Sequence, residues 1–296
     1  MIKMMRKGLI LGMAAAMAAS VIVTAETPAE KSELTVTIPD KYKELVTVTE
    51  EEPDLLISVS ETASIEAAKA QGDDFPGAGW LLGISKISEE ELHEKLCNDM
   101  SGEEVFAQDA EGNYLVYCHP TDVRFVREQY ENIDDDMAQW TELNEWAATV
   151  CDTIVAENEG LTPVHFGNTV FEMYLNRIAY AADIKCEVST LEHGPLNAFD
   201  VDAASFAKQL LSASYEMVDD DLQIDGEYIV LSFADEETRF DFFESEGNEC
   251  YVRQVWGPED AQNVMYYKAV FEDGTAVSSV MRTWYDELVK ANGLAG

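Results

Sequence analysis

Four closely spaced strand-like segments near the carboxyl end constrain the fold of this 296-residue chain more than any other feature. Each segment is rich in β-branched and aromatic residues, and the short stretches between them carry turn-forming Asp, Asn, Gly and Pro. Strands joined by such short turns pair as antiparallel neighbours, so the sequence predicts an antiparallel meander. The segments are Glu227 to Phe233, Thr238 to Glu244, Glu249 to Trp256 and Val264 to Phe271.

Helical patterns of three- and four-residue spacing accompany these strands. The best start signal is Ser88 with Glu91, a capping box in which each side chain accepts the other residue's backbone hydrogen. A hairpin is predicted from the turn that separates Glu104–Gln108 from Tyr114–Cys118. Further strands are predicted at Leu34–Ile38, Leu45–Val48, Leu55–Val59, Trp80–Ile87 and Ile184–Leu191, and helices at Glu61–Gln71, Asp135–Glu157, Thr169–Ala181, 203–211 and Thr275–Lys290.

Together these elements predict an α+β fold with two subdomains, each a mainly antiparallel sheet packed against helices. The boundary is placed near Gly160, which divides the chain into residues 34–160 and 161–296, with the long helix Asp135–Glu157 bridging them. Both halves run through strands, a hairpin and a tryptophan-bearing helix. Diverged duplication and independent use of the same layering both remain open.

The amino-terminal segment predicts export. Lys3, Arg6 and Lys7 precede an apolar run from Gly8 to Val23, and small residues around Ala25 fit a signal-peptidase site. A membrane anchor is the alternative, but a spanning helix needs roughly 20 apolar residues and this run is shorter. We therefore expect residues 1–25 to be a signal peptide, residues 26–33 a short polar tether, and the mature chain to be secreted or held at the cell envelope.

Charge limits the partners of the mature chain. Three of the 19 basic and none of the 58 acidic residues lie before the cleavage site, so 16 basic against 58 acidic residues give a formal net charge of −42. Such a surface repels phosphate backbones and anionic headgroups, which excludes nucleic acid and bare anionic membrane as partners. With 47% hydrophobic residues the chain can still build a core, so disorder does not explain the charge.

The five cysteines, Cys97, Cys118, Cys151, Cys186 and Cys250, are odd in number and include no Cys-x-x-Cys pair. They fit neither a full disulfide framework nor a zinc ribbon. Free, mostly buried thiols and one or two disulfides with a leftover thiol are both open. The spacing of Cys151 on its helix favours a core position.

Motifs that would identify an enzyme or a metal site are incomplete. His93-Glu94-x-x-Cys97 lacks the second histidine of a zincin helix, and Ser205-x-x-Lys208 lacks the other motifs of penicillin-binding enzymes. The segment 221–226 begins like an EF-hand, but Ser232 stands where the loop needs a glutamate. We therefore predict no cofactor and no metal site, while weak binding of divalent cations by Asp134–Asp136 or Asp219–Asp221 stays open.

The loop after the hairpin is the first candidate site. It holds His119, Asp122, Arg124 and Arg127, which combine a titrating ring with scarce positive charge after a strand end. Thr121 is expected to cap a turn of helix here. The alternative is that these arginines form structural ion pairs with nearby carboxylates.

The outer face of the meander is the second candidate site. If Ile229, Leu231, Phe233, Phe240, Phe242, Met265 and Phe271 face the core, alternation turns Asp241 and Phe243 outward. The outward residues expected to bind a partner or ligand are Tyr228, Arg239, Tyr266 and Lys268. A second layer of the same protein covering this face is the alternative.

These observations favour a secreted, acidic, non-catalytic binding or interaction protein whose partner is a protein or a small extracellular ligand. The alternative is an extracellular hydrolase that uses paired carboxylates, or His119 with Asp122. Single alanine substitutions at the four polar loop positions are expected to leave the fold intact. Trp284→Ala is expected to destabilise it by roughly 3–5 kcal/mol, as the loss of a buried aromatic side chain.

Overall fold

Strands and helices alternate along the chain, and the computed structural model groups them into two antiparallel sheets, each packed by helices. It describes residues 34–49, 55–72, 76–128, 132–192, 194–218, 222, 224, 227–233, 236–245, 249–258 and 260–294. The chain from Leu34 onward forms one unit. The predicted α+β class is confirmed. The predicted signal peptide and tether, residues 1–25 and 26–33, lie outside the described residues.

The first sheet comprises β1 (Val46–Thr49), β2 (Ile57–Glu61), β3 (Trp80–Ile87), β4 (Glu103–Gln108), β5 (Tyr114–Cys118) and β6 (Thr162–Pro163). Their order is β1-β2-β3-β5-β4-β6, and neighbouring strands are antiparallel. The hairpin β4–β5 is confirmed. Strand β6 follows Gly160 and pairs with β4. The first sheet therefore includes Thr162 and Pro163, which lie past the predicted subdomain boundary.

The helices of the first half are α1 (Thr62–Ala70), α2 (Glu89–Leu96), α3 (Ile133–Ala147) and α4 (Val150–Glu157). The capping box that begins α2 is confirmed: Ser88 Oγ accepts the Glu91 amide hydrogen at 3.3 Å, and Glu91 Oε2 accepts the Ser88 amide hydrogen at 2.7 Å. The helix predicted over 135–157 is broken between α3 and α4. There the Thr149 hydroxyl donates to the Trp146 carbonyl at 2.9 Å and competes with the regular helical bonding.

The second sheet comprises β7 (Cys186–Thr190), β8 (Leu196–Asn197), β9 (Ser214–Val218), β10 (Ile229–Phe233), β11 (Thr238–Glu244), β12 (Cys250–Trp256) and β13 (Asn263–Val270). Their order is β8-β7-β10-β11-β12-β13-β9. The predicted meander is confirmed as β10 to β13, all antiparallel. Strand β9 was not predicted, because its half-exposed sequence lacks an apolar alternation.

The helices of the second half cover one face of this sheet. They are α5 (Val170–Asn176), a π-helix (Arg177–Ala181), α6 (Ala203–Leu210) and α7 (Val277–Ala291). Trp284 of α7 is fully buried and stacks on Phe206 of α6, with ring centroids 5.4 Å apart. The predicted inward alternation of the meander is confirmed, since Ile229, Leu231 and Phe240 are buried in this core.

Two local predictions are wrong. Residues Leu34–Ile38 form no strand; instead the backbone of Thr35 exchanges hydrogen bonds with the side chain of Asn158 at 2.8 and 2.9 Å. Residues 121–127 form no turn of helix. Among the helices that the described ranges contain, none combines the length and apolar character needed to cross a bilayer.

Candidate functional site

A cavity of about 680 Å³ lies where helix α2 of the first half meets the π-helix of the second half. This volume is in the range that small-molecule sites occupy in proteins, roughly 300–1,000 Å³. The side chains that line it come from α2, α5, the π-helix and the residues that directly follow α2 and the π-helix. Among them are Glu90, His93, Glu94, Cys97, Asp99, Arg177, Tyr180 and Asp183.

Local sequence shapes both walls of this cavity. Helix α5 begins with a second capping box, in which the side chains of Thr169 and Glu172 each accept the backbone amide hydrogen of the other residue. Its carboxyl end widens into the π-helix, where the Ala182 amide donates to the Arg177 carbonyl at 2.8 Å. Ala182 then adopts a left-handed conformation, φ 49°, which ends the helix. A π turn inside a helix is frequent at functional sites.

Tyr180 forms the aromatic part of the wall and is contacted by two side chains, His93 and Lys208. The His93 ring stacks on it with centroids 3.7 Å apart and an interplanar angle of 14°. The Lys208 ammonium lies 4.8 Å from the centroid of the Tyr180 ring as a cation–π contact. Burial is the main cause that raises the pKa of the Tyr180 hydroxyl. The side chain is therefore a fixed, protonated phenol at neutral pH.

The electrostatic character of the cavity is acidic. Glu90 and Glu94 lie one helical turn apart on the same face of α2 and are exposed. Arg177, the cavity's arginine, is bound by two carboxylates, Asp183 at 3.5 Å and Glu236 at 3.2 Å. The cavity therefore presents uncompensated negative charge to a ligand.

Cys97 lies on the same wall, but its thiol has low reactivity. Burial raises the pKa of its thiol, so the protonated form prevails at neutral pH and is a weak nucleophile and metal ligand. All five cysteines are free thiols, which matches the first of the two alternatives above. Within the described residues no group of three or more His, Cys, Asp and Glu side chains could hold a metal ion. Of the two acidic runs, Asp134–Asp136 lies in the first turn of α3, and Asp219–Asp221 lies outside the described residues.

The predicted loop site divides into an exposed and a buried part. His119 and Asp122 are exposed, and Asp122 binds Arg124 at 2.7 Å. Arg124 also donates to the Pro76 carbonyl at 3.2 Å. The Asp122 carboxylate is therefore paired with Arg124. This pairing weakens the alternative in which Asp122 activates His119 for hydrolysis.

Arg127, the fourth predicted loop residue, is buried. Its Nη2 and Nη1 donate to the two carboxylate oxygens of Glu61 at 2.7 and 2.8 Å, and Nη1 also donates to Ser64 Oγ at 2.9 Å. Glu61 is fully buried, and Asp136 lies 3.5 Å from Nε. This network joins β2, α1 and α3, so the arginine serves the fold, and the expectation that Arg127→Ala is harmless has to be revised.

The predicted outer-face site is also divided. Tyr266 packs with Phe243 and Tyr251 in a small apolar cluster, against which Leu222 and Tyr228 lie. Lys268 binds Glu249 at 2.5 Å. A segment of the same chain therefore covers this end of the face, as the alternative stated. At the other end Arg239 lies beside the buried Asp241, together with Arg253, which the sequence prediction did not include.

A second cavity, of about 540 Å³, contains two carboxylates, Glu172 and Glu272. Glu172 is buried, and its Oε2 accepts hydrogens from both the backbone and the hydroxyl of Thr169. This carboxylate is the capping group of α5. It is therefore committed to the helix start, and the pair gives the hydrolase alternative only weak support.

The proximity of α2 and the π-helix could not be read from the sequence. The two capping boxes were detectable, but the approach of the helices depends on how the two cores pack. The three defined residues of the motif His93-Glu94-x-x-Cys97 all line this cavity. No protein-family model, curated protein or solved structure matches this chain, so its function has to be argued from this geometry.

Proposed function

We propose that the mature chain is a non-catalytic binding protein that acts outside the cell or at its envelope and holds a positively charged group of a small ligand or peptide in the acidic cavity. The observation that carries this proposal is the cavity of about 680 Å³ between α2 and the π-helix. Its export rests on the amino-terminal sequence pattern alone.

Cationic ligands are favoured because the carboxylates of the cavity are not neutralised. Glu90 and Glu94 have no ion-pair partner among the described residues, and Arg177 is held by Asp183 and Glu236. The formal net charge of −39 adds a long-range attraction for cations. The fixed Tyr180 ring supplies an edge against which the apolar part of an amine or guanidinium ligand can pack.

The hydrolase alternative has less support. A carboxyl general acid needs a raised pKa, which burial or a second carboxylate provides. The carboxylates whose pKa shifts among the described residues, Glu91, Asp99, Asp109, Glu142, Glu249 and Asp273, are all shifted downward. Hydrogen bonds and lysine partners stabilise their charged forms, which is the pattern of structural carboxylates.

The test is calorimetric titration of residues 26–296 with spermidine and with agmatine at about 150 mM salt, where the Debye length is about 8 Å. The variant Glu90→Gln with Glu94→Gln keeps the shape of the cavity and removes two charges. Its matched control is Glu145→Gln with Glu287→Gln, which removes two exposed charges that do not line the cavity.

We expect the cavity variant to weaken binding of at least one probe about fivefold or more, since each exposed ionic contact contributes up to about 1 kcal/mol. The control should stay within about twofold of the wild type. Equal losses in the two variants would show a diffuse attraction of counterions and would contradict the proposal. Absence of saturable binding by either probe would contradict it as well.

A further inference from the structure

The outer face of the second sheet carries two arginines around one buried acid. Asp241 lies in the middle of β11 and is fully buried, although its strand position turns it away from the helix-covered core. Arg253 stands directly opposite on β12, and Arg239 lies two residues earlier on β11, on the same face. Both guanidinium groups therefore converge on one carboxylate.

The two arginines are held differently. Arg253 donates from Nε to Oδ2 of Asp241 at 2.8 Å, and its Nη2 lies 2.5 Å from the same oxygen as an ion pair. Arg239 Nε lies 3.4 Å from Oδ1 without forming a hydrogen bond, so both of these buried atoms lack a bonding partner. Asp241 thus holds the Arg253 guanidinium by a hydrogen bond and attracts the Arg239 guanidinium through charge alone.

Donors remain on both arginines. A guanidinium has five N–H donors, and among the described residues Arg253 uses the one on Nε in a hydrogen bond while Arg239 uses none. The Arg239 side chain is 42% exposed and that of Arg253 is 22% exposed. In the part of the chain that the structure describes, Asp241 is the sole ion-pair partner of either arginine. The outward edges of the two guanidinium groups are therefore available to a ligand.

Small side chains border Arg239 and Asp241 on the β10 side. The strand neighbours across from Arg239 and Asp241 on β10 are the small or apolar Ser232 and Val230, both only partly buried. Lys268 is farther along the face and is bound to Glu249. The apolar cluster against which Leu222 packs borders the site on the other side, since its Tyr266 is the strand partner of Arg253 on β13, and it continues towards Phe243. One carboxylate, Glu187, faces the same side from β7 beyond Ser232 and limits how much negative charge the site accepts.

We propose that Arg239 and Arg253, positioned by Asp241, form a binding site for one carboxylate group of a small ligand. Planar guanidinium groups match a planar carboxylate through paired, charge-assisted hydrogen bonds. Large anionic partners are disfavoured because the chain carries a formal net charge of −39, which acts at long range. A small mono- or dicarboxylate meets the two arginines at short range, where their local charge dominates. This site is separate from the acidic cavity and does not depend on it.

The experiment is titration of the mature chain with succinate, followed by calorimetry and by the side-chain Nε–H resonances of its arginines. The variants are Arg239→Gln, which removes the exposed donor, and Arg253→Lys, which keeps the charge and removes the planar fork. The control is Arg282→Gln, since Arg282 is 46% exposed and lies on α7. Circular dichroism checks that each variant is folded.

We expect saturable shifts of the Arg239 and Arg253 resonances, and a loss of affinity of about tenfold or more in both site variants, as expected for charge-assisted hydrogen bonds. The control should stay within about twofold. If succinate gives no saturable shift, or if Arg239→Gln binds it as the wild type does, the arginines only neutralise Asp241 and the proposal fails. Binding of inorganic phosphate without binding of succinate would overturn the ligand class.

Discussion

The chain uses the same chemistry twice, in two arginine–carboxylate clusters that differ in what surrounds the arginine. In the inner cluster Arg127 binds Glu61, and in the outer cluster Arg253 and Arg239 surround Asp241. Both carboxylates are fully buried. The Arg127 side chain is only 8% exposed, whereas that of Arg239 is 42% exposed.

This difference shows that a buried acid does not by itself distinguish a structural pair from a binding site. What distinguishes the two is how exposed the arginine is and how many of its N–H donors remain unused. Arg127 has its donors taken by Glu61, Ser64 and the carbonyl of Val126, so a ligand can gain nothing from it. The outer arginines keep donors that face solvent. The comparison can be tested by removing each base in turn.

The largest effect is expected from Arg127→Ala. Loss of the guanidinium leaves the Glu61 charge buried with Ser64 and Gln139 as its side-chain hydrogen-bond partners among the described residues, which costs about 3–5 kcal/mol of unfolding free energy. Urea unfolding measures this. Arg124→Ala is the control and should cost about 1 kcal/mol or less, because its partner Asp122 is exposed.

A second variant separates lost charge pairing from lost packing. Replacing both Glu61 and Arg127 by Met removes the buried charge, so the double variant should recover part of the stability that Arg127→Ala loses. If it is no more stable than the single variant, packing around the guanidinium, including its contact with Phe125 at 4.3 Å, explains the loss instead.

The outer cluster should respond less. Arg253→Ala removes one charge-assisted hydrogen bond and an ion pair to Asp241, but the arginine side chain is 22% exposed, so we expect a loss of about 2 kcal/mol. Arg239→Ala should cost less than about 1 kcal/mol, since Arg239 Nε lies 3.4 Å from Asp241 without a hydrogen bond and the arginine side chain is 42% exposed. Urea unfolding of both variants beside Arg127→Ala would refute the comparison if all three lost the same stability.

The sequence predicted those features that depend on interactions between residues a few positions apart. The capping box at Ser88, the hairpin turn at Asp109 and the inward positions of Phe240 and Phe242 follow from patterns a few residues long, and all are present. The long helix over 135–157 was overextended because one hydroxyl, that of Thr149, decides where its hydrogen bonding breaks.

The candidate sites depended on information that the sequence does not carry. Arg239 and Asp241 were placed outward by alternation, but Arg253 enters the site only through the register that pairs it with Asp241. The acidic cavity needs α2 to meet the π-helix, and no pattern within either segment specifies that approach. Arg127 was predicted as a ligand-binding residue because it carries scarce positive charge in a loop after a strand end. Its partner Glu61 lies 66 positions earlier in the chain, too far for a local pattern to reveal the pair.

A third pair, between Lys86 and Asp109, extends the comparison to a partly exposed turn, where a small effect that shrinks at low pH is expected. Lys86 binds Asp109 at 2.6 Å beside the β4–β5 turn. Partial burial raises the pKa of the Asp109 carboxyl, but hydrogen bonds from Lys86 and from the Asn113 amide outweigh it and hold the pKa at about 2, below the ordinary 3.8. A lowered folded-state pKa means that this stabilisation is present above about pH 4 and is lost as the pH falls towards 2.

We therefore expect Asp109→Asn to lower the unfolding free energy by about 1 kcal/mol at pH 6, a value that allows for screening by water. The difference from the wild type should shrink as the pH falls from about 4 towards 2, because the wild-type carboxyl is then largely protonated in the unfolded state and increasingly protonated in the folded state. Urea unfolding at pH 6, 4 and 2.5 measures this, with Asp135→Asn as a control for an exposed carboxylate. A difference that stays constant across this range would mean that Asp109 acts through the shape of the turn, and that its charge does not matter.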